Sequence, residues 1–142
     1  MKEYEFLEHT ADIKFRAYGK SLENVFSNAA LAFGSILIKP EKVESNEEKI
    51  IKVNGNDEKS LLYNFLEELL FLFDTEGFLL NNIENMKIES KDKVFFLKAK
   101  AKGDFTKNKK YELETEPKAV TYNEMEVKKE KSNYIIQVVI DI

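Results

Sequence analysis

The chain has 142 residues, a net charge of −4 and 43% hydrophobic residues, which suffices for one domain with a sizeable core. It has no cysteine, which excludes disulfides, thiolate zinc sites and iron–sulfur clusters. Arg16 is the only arginine among 22 basic residues, whereas phosphate recognition favours a basic surface that carries arginine. We therefore expect a protein partner and no strong direct nucleic-acid binding.

No apolar run is long enough to cross a membrane. The richest apolar stretch, residues 61–73, is interrupted by Asn64, Glu67 and Glu68. The first residues also lack the basic start and apolar middle of a signal peptide. We expect a cytoplasmic protein with no membrane partner.

The chain begins with strand signals and continues into a helix. Residues 4–9 show a weak alternation, which sharpens over residues 13–19 and predicts a strand. Ser21 is a candidate N-cap, and apolar residues then recur at helical spacing as far as Leu37. Pro40 marks the end of this first amphipathic helix.

A short strand at 47–53 precedes a second amphipathic helix. Asp57 or Ser60 caps this helix, and Gly77 has the usual position just beyond a helix C-terminus. The apolar stripe of the helix consists of Leu62, Phe65, Leu66, Leu69, Leu70 and Phe73.

The rest of the chain consists almost entirely of strand signals. Alternating or β-branched segments occur at 95–102, 111–116, 118–127 and 133–140. Helices early and strands late predict an α+β fold. We expect a single domain over residues 1–142, with two amphipathic helices packed on mainly antiparallel sheet.

The last strand and the residues after it suggest a metal site. Both faces of this strand are apolar, which predicts a central, buried position, and Asp141 and Ile142 follow it. If strand 13–19 is its antiparallel neighbour, Asp12, Asp141 and the terminal carboxylate of Ile142 converge. Such an all-oxygen site suits calcium or magnesium rather than zinc. The alternative is a turn-capping Asp12 and a hydrated Asp141.

No catalytic set emerges from the sequence. His9 is the only histidine, no Gly-x-Ser-x-Gly motif is present, and the glycines form no phosphate-binding loop. By residue type alone, His9 fits a capping or turn role and Lys118 a solvated edge position. We therefore predict no catalytic residues.

Four segments resemble, in the right order, the motifs of the archease family. They are Glu8-His9-Thr10-Ala11-Asp12-Ile13, the stretch from Leu61 to Gly77, Lys118-Ala119-Val120-Thr121-Tyr122, and Val139-Ile140-Asp141-Ile142. The matches span nearly the whole chain. Two positions depart from the family pattern: Asn123 stands where a histidine is frequent, and Phe65 where a tryptophan is common.

The resemblance implies a small α+β accessory protein with no catalytic chemistry of its own. Archeases activate the tRNA-splicing RNA ligase by promoting its GTP-dependent guanylylation and its multiple turnover. The resemblance further implies metal ligands at Asp12, Asp141 and the terminal carboxylate of Ile142, with Lys118 and His9 as other functional positions. The expected ion is calcium, with magnesium or manganese as alternatives.

Two other functions remain open from the sequence. The first is a chaperone-like binding module for RNA-modifying enzymes such as a tRNA methyltransferase, which does not need the carboxylate site. The second is a stand-alone hydrolase built on carboxylates and metal, which requires a concave pocket with perturbed acids.

Overall fold

Two antiparallel sheets and two helices build the protein in this computed structural model, which describes residues 2–142. The helices are α1 (Leu22–Leu37) and α2 (Glu58–Glu76). The strands are β1 (Tyr4–Leu7), β2 (Ile13–Gly19), β3 (Glu47–Gly55), β4 (Phe78–Lys91), β5 (Val94–Phe105), β6 (Ala119–Val120), β7 (Glu126–Glu130) and β8 (Asn133–Asp141). The predicted α+β class is confirmed.

The first sheet joins the two ends of the chain. Its order is β1-β2-β8-β6, and β7 also pairs with β8 on the side of β6. Strand β8 therefore has neighbours on both sides, which explains why both of its faces are apolar, and residues 136–140 are buried. The predicted central position of the last strand is confirmed.

The second sheet comes from the middle of the chain and has the order β3-β5-β4. Both helices contact strands of both sheets, so the inner sheet faces and the helices share one continuous core. The outer face of the second sheet is buried around Leu79 and Asp104 and exposed around Lys98. The largest fully buried side chains come from both sheets and both helices, and include Phe15, Phe26, Phe33, Ile51, Phe65 and Ile136.

The helix boundaries follow the predicted capping residues. Ser21 Oγ accepts a hydrogen bond from the Asn24 N–H at the start of α1. Asp57 and Ser60 act together at the start of α2, because each side chain accepts from the backbone N–H of the other. Gly77 ends α2 with a φ of 70°, in the left-handed region. Within residues 2–142, no helix is long and apolar enough to cross a membrane.

The predicted strand at 111–116 is wrong. This segment crosses the end of α1, where Glu114 N–H donates to Leu37 O (2.7 Å) and Thr115 N–H donates to Ile36 O (3.2 Å). The last carbonyls of a helix lack partners within the helix, and an extended segment can supply them. The alternating apolar side chains of this segment, Tyr111 and Leu113, pack against residues at the end of α1 and do not belong to a sheet.

The predicted continuous strand at 118–127 is also wrong. Only Ala119–Val120 pairs with β8 before the chain turns, and Met125 N–H donates to Tyr122 O across the turn. Thr121 Oγ1 donates to Val139 O (2.8 Å), so at this point a side-chain hydrogen bond takes the place of a backbone hydrogen bond between the strands. The turn ends with Glu124 at a φ of 54°, and β7 begins two residues later.

A buried carboxylate anchors the segment that follows β5. Asp104 is fully buried and accepts hydrogen bonds from Asn108 Nδ2 (2.8 Å), Tyr111 Oη (2.7 Å) and the Phe105 N–H (2.9 Å). The hydrogen bonds from Asn108 and Tyr111 hold the pKa of Asp104 below its usual value, although burial opposes them. Asp104 therefore links β5 to the segment that caps α1.

We expect Asp104→Asn to lower the free energy of unfolding at neutral pH by about 1.5 kcal/mol, because charged hydrogen bonds are lost. The folded pKa of Asp104 lies below the unfolded value of about 3.9, so its stabilisation is present above that pH and is lost as the pH falls through the folded pKa. Denaturant unfolding between about pH 7 and pH 2 should show a weaker acid dependence in the variant.

Asp92→Asn is the matched control, because Asp92 lies in the exposed turn between β4 and β5. It should keep the acid dependence of the wild type. An Asp104→Asn variant with unchanged stability and unchanged acid dependence contradicts the role given to Asp104.

Candidate metal centre

The pairing of β2 with β8 brings Asp12 and Asp141 to the same end of the first sheet. Ile13 lies opposite Ile140 in the antiparallel register, and the two aspartates are the next residues outward from this pair. Asp141 shares the outer face of the sheet, which points away from the helices, with Val139. The register therefore brings the two aspartates to one end of neighbouring strands.

A cluster of three side chains adjoins Asp12 on the same outer face. His9 Nε2 donates to Glu124 Oε2 (2.9 Å), and Lys14 Nζ donates to Glu124 Oε1 (3.0 Å). Gln137 Nε2 donates to the backbone O of Glu124 (2.9 Å), which fixes the turn before β7 against β8. The β1–β2 connection and this turn, far apart in the sequence, are thus held together by charge-assisted hydrogen bonds.

The second ring nitrogen of His9 faces Asp12. His9 Nδ1 lies 3.6 Å from Asp12 Oδ2, which is too far for a hydrogen bond. Among residues 2–142, it is the one buried side-chain polar atom without a hydrogen-bond partner. Such an atom costs free energy, because it has lost its hydrogen bond to water and gained none within the protein.

The electrostatics of the cluster centre on Glu124. The hydrogen bond from His9, followed by that from Lys14, lowers the pKa of the Glu124 carboxyl below its usual value. Sequence reasoning did not identify Glu124 as a site residue. The only signal was its position two residues after Tyr122, at the end of the third family-like segment.

An open groove of about 820 Å³ lies beside the carboxylates. His9 and Asp12 form part of its wall, and α1 contributes Ser35 and Ile36. Further lining residues are Phe6, Glu8, Thr10, Glu114 and Thr115. The groove is therefore acidic along one side and leads to the Asp12 end of the sheet.

Lys118 and Ile142 lie next to Asp141 on the other side from Asp12. Lys118 N–H donates to Asp141 O (2.7 Å), and Ala119 pairs with Asp141 in β6. The backbone of the Lys118 segment thus fixes the end of β8. The side chain of Ile142 is 40% exposed and directly follows Asp141.

The donor chemistry of this end of the sheet fits a hard divalent cation. Asp12 and Asp141 flank the paired residues Ile13 and Ile140, and within the described residues Asp141 has no ion pair shorter than 4 Å. Like charges in neighbouring strand positions destabilise a sheet unless a cation offsets them. Residues 2–142 contain no group of three or more His, Cys, Asp or Glu side chains placed to hold a metal ion. A metal ion bound there would need a further ligand of another kind, such as a main-chain oxygen or a group from a partner.

Sequence comparisons relate nearly the whole chain to one family. The archease protein family (MTH1598/TM1083) matches residues 4–142. An archease of Pyrococcus abyssi is 44% identical over the full length of both chains. An archease of Methanosarcina mazei is 42% identical over 99% of this chain and 97% of its own.

Solved structures give the same relation. The solution structure of Methanobacterium thermoautotrophicum protein 1598 is 39% identical, covers 100% of both chains and superposes with a TM-score of 0.85. The crystal structure of an archease, possible chaperone, from Thermotoga maritima has a TM-score of 0.58 at 19% identity, over 96% of this chain and 94% of its own, and shows the same fold. On the family match, the full-length relatives and the shared fold, this chain belongs to the archease family.

Proposed function

We propose that this chain is a metal-binding accessory protein that activates the tRNA-splicing RNA ligase. It promotes the GTP-dependent guanylylation of the ligase and its multiple turnover, and it has no catalytic chemistry of its own. The observation that carries the proposal is the β2–β8 pairing, which brings Asp12 and Asp141 to the same end of the first sheet in a member of the archease family. Everything else in the proposed mechanism depends on that pair of carboxylates.

Asp12 and Asp141 would hold the ion, with Ile142 as a third ligand through a terminal carboxylate. A bound calcium ion, or magnesium or manganese, offsets the repulsion between the carboxylates and supplies an electrophilic centre for phosphate oxygens. In this proposal, the end of the first sheet that carries Asp12 and Asp141 docks near the GTP site of the ligase. Lys118 is proposed to contribute through its position beside Asp141.

His9 positions Asp12 in this proposal. The hydrogen bond from His9 Nε2 to Glu124 fixes the connection that carries Asp12, and His9 Nδ1 faces the Asp12 carboxylate. Lys14 and Gln137 hold Glu124 in place from β2 and β8. A rigid second layer of this kind keeps metal ligands in their orientation.

Calcium should stabilise the wild type but not Asp141→Asn. At a free calcium concentration about 100-fold above Kd, the free energy of unfolding of the wild type should rise by about 2.7 kcal/mol. Without calcium, the variant should unfold at the same temperature or a higher one, because one of two adjacent negative charges is gone. Thermal unfolding with calcium, magnesium or manganese measures this, with Asp92→Asn as the control. Equal stabilisation of Asp141→Asn by calcium contradicts the site.

Ligase guanylylation tests the function directly. The ligase from the same source is incubated with GTP alone, with wild-type protein, with Asp141→Asn and with Asp92→Asn. The wild type and Asp92→Asn should stimulate guanylylation, and Asp141→Asn should leave it at the level of the ligase alone. The reason is that only Asp141→Asn removes a proposed metal ligand.

The other outcomes separate the proposed function from its alternatives. Equal stimulation by Asp141→Asn keeps ligase activation and rejects the role of the carboxylates. No stimulation by folded wild type rejects ligase activation and favours the chaperone-like module, which is then tested by its effect on the solubility of an RNA-modifying enzyme.

A further inference from the structure

The outer face of the second sheet carries a row of three lysines. Lys52 of β3 and Lys87 of β4 both lie opposite Lys98 of the central strand β5. Residues opposite one another across antiparallel strands point to the same face, about 5 Å apart. All three side chains are exposed. Three ammonium groups therefore line up across the whole width of this sheet.

The row is not neutralised by neighbouring acids. Within residues 2–142, Lys52 and Lys98 have no carboxylate oxygen within 4 Å, and Lys87 has only the exposed Glu89 at 3.1 Å. The lysines on β5 farther from Phe96 differ in this respect, because Lys100 and Lys102 pair with Glu48. Like charges that lie opposite one another cost stability. Two of the three lysines, Lys52 and Lys98, therefore have charges that are free to attract an anion.

A bulge in β4 keeps Lys87 in this row. The register shifts by one residue between Glu84 and Lys87, and Asn85 adopts a φ of 54°. Without the extra residue, Met86 would lie opposite Lys98 on the outer face. With it, Met86 packs against the core and Lys87 points outward.

Apolar side chains flank the lysine row on both sides. Phe96 precedes Lys98 by two residues on the same face and is 47% exposed. Ile50, two residues before Lys52, is 51% exposed. Phe96, the three lysines and Glu89 line a shallow depression of about 350 Å³. An exposed aromatic ring therefore lies beside the cations at this end of the sheet.

We propose that this face, which we call the lysine face (Lys52, Lys87, Lys98 and Phe96), binds single-stranded RNA. The lysines contact successive phosphates, and a base stacks on the Phe96 ring, as on other sheet surfaces that combine aromatic side chains with cations. An acidic peptide would satisfy the lysines, but it has no use for an exposed aromatic ring among them. Single-stranded RNA uses both features.

The proposal is independent of the proposed ligase activation and of the carboxylate site. The lysine face belongs to the second sheet, whereas Asp12 and Asp141 belong to the first, and both helices contact both sheets between them. It also revises the expectation of weak nucleic-acid binding that followed from the net charge of the chain. The net charge is −4, but the positive charge is concentrated locally.

Fluorescence anisotropy with a fluorescein-labelled oligouridylate of about twelve nucleotides tests the proposal, at salt concentrations from about 50 to 200 mM. The full-length protein is compared with Lys52→Gln/Lys98→Gln, with Phe96→Ala and with the control Lys20→Gln/Lys131→Gln. The control removes the same charge at two exposed positions elsewhere. Circular dichroism checks that each variant is folded.

The wild type and the control should bind with the same affinity and the same salt dependence. The Lys52→Gln/Lys98→Gln variant should bind the RNA more weakly. The slope of the logarithm of the association constant against the logarithm of the salt concentration should become shallower by about 1.4, because two phosphate contacts are lost. Phe96→Ala should weaken binding by about fivefold or more while the slope stays unchanged, because stacking rather than charge is lost.

Three outcomes overturn the proposal. One is the absence of saturable binding by the folded wild type at about 50 mM salt. Another is an equal loss of affinity in the control variant, which indicates nonspecific charge attraction. The third is a combined result: an oligoglutamate peptide binds with the same affinity as the RNA and displaces it, and Phe96→Ala has no effect. This result would make the lysine face a docking surface for an acidic protein.

Discussion

The antiparallel pairing of β2 with β8 is the constraint on which the rest of the structure depends. It joins residues near the two ends of the chain, and burial of β8 on both faces offsets the entropy cost of closing so long a loop. Because β8 is central, β6 and β7 must pair along its other side, and the turn between them then carries Glu124 to His9. The same register brings Asp12 and Asp141 to one end of the sheet.

The two sheets differ in the charges that they expose, while the helices and the inner faces share one core. The outer face of the first sheet ends in carboxylates, and the outer face of the second carries Lys52 and Lys98, which have no ion pair among the described residues. A net charge averaged over the chain hides this separation. Neither surface is needed for the core, so both are available for partners.

Strong local patterns made much of the fold predictable from the sequence. Both helices, their caps at Ser21 and Asp57, and the central last strand follow from periodicity and capping chemistry. The location of Asp12 and Asp141 at one end of the sheet followed from the predicted antiparallel pairing of the second and last strands. The contacts of Glu124 did not, because they depend on a turn with positive φ inside a segment that alternates like a strand. The segment that caps α1 was not predicted for the same reason, because it too alternates like a strand. The lysine row was not predicted, because it depends on the bulge in β4.

The most direct test of the central claim is paramagnetic relaxation enhancement of the backbone amide signals by substoichiometric Mn²⁺, an ion that accepts the same oxygen ligands as calcium and magnesium. The β2–β8 register predicts that amides near Asp12 and near Asp141 broaden together, and that excess calcium restores both sets of signals. Broadening centred on other acidic residues, or on one of the two aspartates without the other, would contradict the account.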